Sequence, residues 1–236
     1  TCALPISPDE RGINVALLYQ RGIFKLLSNR SYPVMKPRRN SRPTRDILHV
    51  SGQLLNSDTL DVFVVHFPSR SGGAKASEPY RLAAAQRLKD TTDSLLRIRT
   101  RPQIIIMGDF NDYPDNKSIQ KILKAGIPPT ETDSLDSRML YHLLARKGID
   151  NKHFGSYKYQ GEWELLDHII LSGNLLMPGS SLYTAEEKAG VFRAPFLLTE
   201  DRKYGDEQPF RTYYGMKYQG GYSDHLPVWA EFRLLY

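Results

Sequence analysis

Short apolar runs separated by polar loops recur along the chain, and they predict more strands than helices. Runs of this kind, bounded by turn residues, indicate strands over residues 13–19, 47–54, 59–67, 104–107, 157–163, 165–171 and 228–234. The first run is mostly apolar throughout, as in a strand that is buried on both faces. Asn56, Ser57 and Asp58 separate the second and third runs, and their turn chemistry predicts a hairpin.

Helical periodicity is clearest in one long segment, residues 78–99. Its apolar positions recur at helical spacing, at Leu82, Ala85, Leu88, Leu95 and Ile98. Ser77 precedes the segment and is a suitable N-cap. Two shorter helices are expected over residues 118–124, closed by Gly126, and over residues 135–145.

These elements predict a single domain of the α+β class over residues 1–236. Because several strands pair as hairpins and one long helix covers a face, we expect a four-layer sandwich in which two packed, mostly antiparallel β-sheets are flanked by helices. Apolar residues make up 40% of the chain, which allows a sizeable core and argues against disorder. No long window is continuously apolar, so a transmembrane segment is not expected.

The chain is basic, with a formal net charge of +6 and a pI of about 9.3. This favours phosphate-bearing or polyanionic partners, although many basic proteins never bind nucleic acid. One basic segment contains Lys36, Arg38, Arg39, Arg42 and Arg45. We interpret it either as a solvated loop, the more common case, or as an arm that contacts phosphate. Cys2 is the single cysteine, so neither an internal disulfide nor a zinc site built from cysteines is expected.

Polar residues lie directly against apolar strands in four segments. These residues are His66, Asp109 with Asn111, Asp167 with His168, and Asp224 with His225. Each segment alone is ambiguous, because an aspartate after a strand is more often a turn residue and a lone histidine is more often a satisfied core residue. Together, carboxylates, histidines and an amide are suited to metal-assisted phosphoester hydrolysis, with Mg²⁺ or Mn²⁺ held by oxygen ligands.

Motifs in these segments resemble those of the endonuclease/exonuclease/phosphatase superfamily of metal-dependent phosphoesterases. GDFND at residues 108–112 resembles its GDFN motif, LDHIILS at 166–172 resembles its LDxIxxS strand, and YSDHLPV at 222–228 resembles its SDHxPV motif. VHF at 65–67 resembles the strand that ends in a histidine of the catalytic site. The order and spacing agree with the superfamily over essentially the whole chain.

The resemblance implies roles for the residues that match the motifs. Asp109 would orient or deprotonate the attacking water, and Asn111 would hydrogen-bond a non-bridging phosphate oxygen. His66 would donate to the phosphate or assist the leaving oxygen. Arg70, with Ser69, is a candidate for binding the substrate phosphate, and an exposed loop is an equal alternative.

The remaining motif residues are implied as the base, its partner and the metal ligands. His225 would act as a general base or stabilise phosphate charge, and Asp167 would pair with it and set its tautomer. Asp224 and Asp109 would bind the metal, Mg²⁺ or Mn²⁺, and these two aspartates could exchange parts. His168 points to the opposite side of its strand and is expected to be structural. Further candidates for lining the cleft are Arg45, Tyr157, Lys158 and Trp163.

The chain departs from the superfamily near its start. The superfamily's first strand, which carries an Asn, and its second, which ends in a metal-binding Glu, are not visible upstream of Gly12, and Glu10 does not follow an apolar strand. We therefore expect the chain to be N-terminally incomplete and weak or inactive alone, and its full-length parent to be active. The resemblance is closest to uncharacterised bacterial members, which favours a bacterial source, with the periplasm or secretion as options for its location.

The leading hypothesis is divalent-metal-dependent hydrolysis of phosphodiester bonds by a monomer, with nucleic acid, DNA or RNA, as the favoured substrate. Alternatives in the same superfamily are a phosphomonoesterase, a phosphoinositide phosphatase and a phospholipid phosphodiesterase, because the motifs carry the reaction while loops choose the substrate. The alternative of another class is a non-catalytic binding module that keeps the fold. The residues that argue against it are the intact Asp109, Asn111, Asp167, Asp224 and His225.

Overall fold

The structure, a computed structural model, describes residues 2–3, 8–10, 12–37, 43–131 and 134–236. The strands are β1 (Cys2–Ala3), β2 (Leu17–Leu18), β3 (Phe24–Tyr32), β4 (Ile47–Leu54), β5 (Thr59–His66), β6 (Ile104–Asp109), β7 (Leu140–His142), β8 (Tyr157–Tyr159), β9 (Glu162–Glu164), β10 (Asp167–Ser172), β11 (Leu182–Tyr183), β12 (Ala189–Val191), β13 (Leu198–Glu200), β14 (Glu207–Pro209), β15 (Tyr213–Tyr214), β16 (Lys217–Tyr218), β17 (Val228–Ala230) and β18 (Arg233–Leu234). The helices are α1 (Ala74–Ile98), a π-helix (Ser118–Leu123), α2 (Ala145–Asp150) and three short 3₁₀ helices (Gly173–Leu176, Glu186–Lys188 and Pro195–Leu197). Among the residues that the structure describes, no helix has both the length and the apolar character to cross a membrane.

A six-stranded sheet, in the order β3-β4-β5-β6-β10-β7, forms the centre of the fold. All neighbours in it are antiparallel except β5 and β6, which run parallel and are joined by α1. The hairpin predicted around residues 56–58 is present as β4 and β5. The α+β class and the mostly antiparallel pairing predicted from the sequence are confirmed.

Apolar side chains lie on both faces of the sheet, which is why its central strands are almost continuously buried. On one face, Phe63 and Ile106 belong to the same buried cluster as Leu88 of α1. On the other face, a second cluster runs from Val50 of the sheet to Leu182 of β11. The described strands on that side form the two-stranded pairs β1–β2, β11–β18 and β12–β17, so the second large sheet of a four-layer sandwich stays a prediction.

Two segments differ from the pattern-based prediction because tertiary pairing outweighs local periodicity. The helix predicted over residues 135–145 is wrong, since Leu140–His142 forms β7 at the edge of the sheet and α2 follows it. Residues 13–19 contain only the short strand β2, where Leu17 is buried and Leu18 is 77% exposed. This run is therefore buried on one face and not on both.

The ends of the predicted helices also differ. α1 begins after Gly73, and Ser77 is not its N-cap but lies in its first turn, where its hydroxyl donates to the Gly73 carbonyl oxygen at 2.8 Å. The π-helix ends at Leu123, and the residue that follows, Lys124, has a left-handed φ of 58°, so Gly126 does not terminate the helix. The last predicted strand is divided into β17 and β18, and the run over residues 157–163 is the hairpin β8–β9.

The basic segment is described only in part. Three of its residues lie outside the described residues, namely Arg38, Arg39 and Arg42. Arg45 is buried, and its guanidinium donates to the Asp9 carboxylate at 3.0 Å and to the Phe67 carbonyl oxygen at 3.2 Å. Arg45 is therefore fixed to the body of the protein and does not belong to a solvated loop.

We expect Gly108→Ala to destabilise the fold by about 3 kcal/mol or more. Gly108 has a φ of 138°, which side chains rarely adopt, and a Cβ added there would lie 1.9 Å from the Val65 carbonyl oxygen on the neighbouring strand. Denaturant unfolding measures the difference in stability. Gly22→Ala is the matched control, because no atom lies within 4 Å of its added Cβ, and it should change stability by less than about 0.5 kcal/mol. An equally small loss at Gly108 would contradict this description of the strand.

Candidate active site

Three neighbouring strands of the sheet carry polar residues at the same level. His66 is the last residue of β5, Asp109 is the last of β6, and Asp167 is the first of β10. In the register of the sheet, His66 pairs with Asp109, and Asp109 pairs with Asp167. Residues far apart in the chain thus form one cross-strand row, His66–Asp109–Asp167, at one edge of the sheet. A strand end is a rigid platform for side chains that face a cleft.

The turn after β6 orients the Asp109 carboxylate. Asn111 has a φ of 51°, a left-handed conformation that asparagine tolerates. Its backbone N–H donates to Asp109 Oδ1 at 2.7 Å, and its side-chain amide donates to Asp109 Oδ2 at 2.8 Å and to the Phe67 carbonyl oxygen at 3.1 Å. His66 Nε2 lies 3.4 Å from Asp109 Oδ2. Both amide hydrogens of Asn111 are engaged within the protein, so in this arrangement it positions Asp109.

The segment that precedes β17 brings a histidine to the other end of the row. His225 Nδ1 lies 2.6 Å from Asp167 Oδ2, and the Ser156 hydroxyl donates to the same oxygen at 2.6 Å. The Tyr157 ring packs against the His225 imidazole with centroids 4.7 Å apart, and an isolated β-bridge joins their backbones. The imidazole is therefore held on one side by a carboxylate and on the other by an aromatic ring.

The ionisable groups of the site change one another's proton affinity. Burial, followed by the charge of Asp167, raises the pKa of Asp109 to about 6. Burial alone would lower the pKa of His225, but the hydrogen bond with Asp167 and the charge of that carboxylate raise it to about 9. Burial would also raise the pKa of Asp167, but the bond with His225 holds it below its ordinary value. At neutral pH His225 is therefore an imidazolium beside two acidic side chains.

Asp109, Asp167 and His225 form a group that could hold a metal ion, because each offers a ligand atom within 4.8 Å of the others. Asp224, which the motif predicts as a ligand, lies outside this group; it is exposed but lines the same cleft. Carboxylate oxygens suit a hard divalent cation. A cation would also relieve the repulsion that raises the pKa of Asp109. The residues present therefore fit a divalent metal.

The cross-strand row lies in an open cleft of about 900 Å³. Arg70 and Glu164 form one wall of the cleft, and Tyr113, which lines a different pocket, contacts both of them. The Arg70 guanidinium pairs with the Glu164 carboxylate and lies 5.1 Å from the centre of the Tyr113 ring, while the Tyr113 hydroxyl donates to the same carboxylate. Arg70 is thus a fixed part of the wall and not an exposed loop residue. Arg45 and Tyr157 also line the cleft.

Three residues of the site were missed by the sequence analysis. Glu164 gave a weak signal, as a charged residue shortly before the LDHIILS motif. Tyr113 and Ser156 gave none, because their contacts depend on which strands become neighbours. Of the further candidates, Lys158 is buried and donates to the Gly205 carbonyl oxygen at 2.8 Å, so it does not face the cleft.

A buried polar chain supports the turn after β6 from behind. Arg81 of α1 donates to the Asp112 carboxylate at 2.6 Å. The Leu144 N–H donates to His142 Nδ1 at 3.2 Å, so the His142 Nε2–H is directed at His168 Nδ1, at 2.6 Å, and the His168 Nε2–H donates to the Asp112 carbonyl oxygen at 2.8 Å. Burial lowers the pKa of His168 to about 4 and that of His142 well below its ordinary value. Both rings are neutral, and His168 is structural.

Comparison with solved structures finds similar folds in proteins of different activity. The human Nocturnin catalytic domain with bound sulfate anion is 15% identical with a TM-score of 0.60, and the alignment covers 99% of this chain and 72% of that chain. A mannosyl-6-phosphatase of Bacteroides thetaiotaomicron VPI-5482 is 15% identical with a TM-score of 0.57, covering 99% and 77%. TDP2 of D. rerio, complexed with single strand DNA product, is 12% identical with a TM-score of 0.58, covering 99% and 76%. At these identities the similarity shows the fold alone.

The family is shown by a comparison of sequence. No match was found among curated proteins. The profile of the Endonuclease/Exonuclease/phosphatase family, however, matches residues 4–233, which is nearly the whole chain. The recognition drawn from the GDFND, LDHIILS and YSDHLPV motifs is confirmed by this match. The chain belongs to the Endonuclease/Exonuclease/phosphatase family, whose members hydrolyse phosphoester bonds and generally depend on divalent metal ions.

Proposed function

We propose that the protein hydrolyses phosphodiester bonds with a divalent cation, Mg²⁺ or Mn²⁺, and that nucleic acid is its substrate. The observation that carries the proposal is the cross-strand row, with the His225 imidazolium held against Asp167 at one end. Metal-assisted phosphoester hydrolysis requires carboxylate oxygens that bind the metal and orient a water. It also requires cationic groups that stabilise the charge on the phosphate.

We assign Asp109 to orient the attacking water. Without a metal, burial and then the charge of Asp167 raise the pKa of Asp109 to about 6, and a bound cation would lower it again, so the assigned role is that of a carboxylate acceptor for the water. Asn111 is assigned to position Asp109, since its amide hydrogens go to Asp109 and to Phe67. This assignment replaces the contact with phosphate that the motif resemblance implies.

We assign His225 to stabilise the phosphate charge. This is one of the two roles that the motif leaves open, and the other is that of a general base. With a pKa of about 9 it is protonated at neutral pH, which suits a donor and disfavours a base. Asp167 holds Nδ1 and so leaves Nε2 to donate towards the cleft. We assign His66, at the other end of the row, to assist the departure of the leaving oxygen.

The metal is assigned to the two carboxylates of the row. Oδ2 of Asp167 is occupied by His225 and Ser156, which leaves Oδ1 for a cation beside Asp109. Asp224, exposed at the cleft, adds negative charge near it. When bound, the cation neutralises phosphate charge and lowers the pKa of a coordinated water.

Nucleic acid is the substrate class that the net charge of the chain favours. The net charge is +6, so a polyanion is attracted to the protein. The cleft itself carries acidic residues beside Arg45 and Arg70, and a bound cation would offset part of their negative charge at the site. Among the structural neighbours are a complex with a DNA product and a sugar phosphatase, and the net positive charge of the chain supports the first type of substrate. We further propose that the chain forms one domain, because both buried clusters share the central sheet, and that this domain acts as a monomer.

We expect Asp109→Ala to reduce metal-dependent hydrolysis of bis-p-nitrophenyl phosphate by the protein at least about 10²-fold. The substitution removes both the group for the water and a metal ligand. Asp115→Ala, at an exposed position six residues further along, is the matched control and should retain activity. If the wild-type protein shows neither metal-dependent turnover nor metal binding, the non-catalytic alternative replaces this proposal.

We expect Asp167→Asn to lower the pKa of His225 from about 9, because the variant loses the charge that opposes burial. Titration of the imidazole nitrogens by NMR, without metal, measures the pKa. The raised pKa of His225 stabilises the folded protein below about pH 6.5, and this stabilisation is lost as the pH rises through about 9. Asp224→Asn is the control and should shift the pKa less, and an unchanged value in Asp167→Asn would refute the pairing.

We expect Arg70→Met to raise KM for an oligonucleotide at least about tenfold, with a smaller change in kcat, because a charge-assisted contact to phosphate is lost. Steady-state kinetics measure both constants. Glu164→Gln should also raise KM, but by a smaller factor, because it frees the Arg70 guanidinium without removing it. Arg202→Met, whose side chain is 88% exposed, is the control. A loss confined to kcat would place Arg70 in the chemical step instead.

A further inference from the structure

A hairpin of exposed tyrosines, which the proposed reaction does not use, leads directly into the site. We call residues 210–222 the tyrosine hairpin, within which β15 pairs with β16. Its large side chains face solvent, with exposed fractions of 57% at Tyr213, 65% at Tyr214, 98% at Met216, 64% at Tyr218 and 61% at Tyr222. So much exposed aromatic surface on one short segment indicates an interaction surface.

The tyrosine hairpin is also positively charged. Residues 210–222 contain no Asp or Glu, and they contain Arg211 and Lys217. The Arg211 guanidinium lies 5.6 Å from the centre of the Tyr214 ring. The preceding strands β13 and β14, in contrast, carry Glu200 and Glu207. The hairpin therefore combines ring faces with positive charge, the pair of features that a base and its phosphate require.

The base of the tyrosine hairpin is tied together by short backbone contacts. The Tyr222 N–H donates to the Phe210 carbonyl oxygen at 2.6 Å, and the Thr212 hydroxyl donates to the Tyr222 carbonyl oxygen at 2.7 Å. Gly221 packs so closely that an added Cβ would lie 2.1 Å from the Phe210 carbonyl oxygen. Residues 223–225, which follow directly, line the cleft. These contacts therefore hold the base of the hairpin next to the cleft.

The chain itself links the tyrosine hairpin to the cleft. Tyr157, whose ring packs on His225, lines the cleft together with Ser223 and Asp224. A strand of substrate that leaves the cross-strand row past His225 and follows residues 223–225 therefore reaches the hairpin at Tyr222.

We propose that the tyrosine hairpin is a stacking platform for the unpaired bases of a single-stranded oligonucleotide whose backbone lies in the cleft. Tyr213 and Tyr218 are cross-strand partners on one face of the hairpin, with ring centroids 5.4 Å apart, and they supply the ring faces. Arg211 contacts the phosphates. This inference rests on the proposed function, and it narrows the substrate to single strands. A paired base has both faces covered by its neighbours in the duplex, so only unpaired bases can stack on the hairpin.

A membrane surface is the other partner that exposed aromatic residues suit, and the composition argues against it. Segments that insert into the acyl boundary use Leu, Phe and Trp on one face. Residues 210–222 contain no Leu, Ile, Val or Trp, and Phe210 is only half-buried at the base of the hairpin. The exposed set is dominated by tyrosines, whose ring faces accept bases of any sequence.

The test compares Tyr213→Ala/Tyr218→Ala with wild-type protein in binding a labelled oligothymidylate of about 12 nucleotides. Fluorescence anisotropy is measured in EDTA, so that the result does not depend on turnover. We expect the double variant to bind at least about tenfold more weakly. Tyr213→Phe/Tyr218→Phe should bind like wild type, because it keeps the ring faces. Tyr236→Ala, at a tyrosine 89% exposed outside the hairpin, should have no effect.

Two further probes separate base stacking from binding through the phosphate backbone. An abasic oligonucleotide of the same length, which has the backbone without bases, should bind wild type and the double variant equally weakly. A duplex of the same sequence should show no difference between them either. Since the substituted side chains are exposed, thermal unfolding should be unchanged, and this excludes a folding defect.

Several outcomes would overturn the inference. The first is that wild type and the alanine variant bind oligothymidylate equally well. The second is that the alanine substitutions weaken binding of the abasic strand as much as binding of oligothymidylate. The third is that they abolish binding to phosphatidylglycerol vesicles and leave binding to the oligonucleotide unchanged. Wild-type hydrolysis of bis-p-nitrophenyl phosphate with Mg²⁺ tests the proposed function separately. Failure there with intact stacking in EDTA would remove the catalytic proposal and leave the hairpin as a single-strand binding surface.

Discussion

Two acidic side chains must be tolerated side by side for this structure to form. Asp109 and Asp167 face each other on the antiparallel strands β6 and β10, a placement in which like charges destabilise a sheet. Each carboxylate is compensated separately. Asn111 donates to both oxygens of Asp109, while His225 and Ser156 share one oxygen of Asp167. Burial, together with the remaining repulsion from Asp167, raises the pKa of Asp109, and the repulsion makes the position favourable for a cation.

The surfaces assigned to substrate are continuous in the chain with the residues of the row. Arg70 follows the strand that ends in His66, and the tyrosine hairpin precedes His225. Arg70 is held by Glu164, so its geometry is set by the wall and not by the loop alone. The loops can therefore differ between relatives and change the substrate, while the sheet keeps the row unchanged.

The sequence predicted what local pattern and strand ends determine. The central strands and α1 were predicted because apolar spacing and turn residues indicate the same elements there. The residues of the cross-strand row could be predicted as candidates because each of them lies where an apolar strand begins or ends. The strand Leu140–His142 was missed because its pairing with β10 leaves no local signal. Glu164 and Ser156 were missed for the same reason: a side chain's partner depends on which strands lie next to each other, which a single sequence does not contain.

The distances along the chain that the row spans have a consequence for the order of folding. Phe67 and Asn111 are 44 positions apart, and Asp167 and His225 are 58 positions apart. The β4–β5 hairpin closes a short loop and can form early, whereas these contacts must wait for much longer loops to close. Until residues 222–228 dock, Asp167 lacks its counter-charge. The pairing of Asp167 with His225 is therefore among the last contacts to form, and a partly folded chain can hold the sheet before this site is assembled.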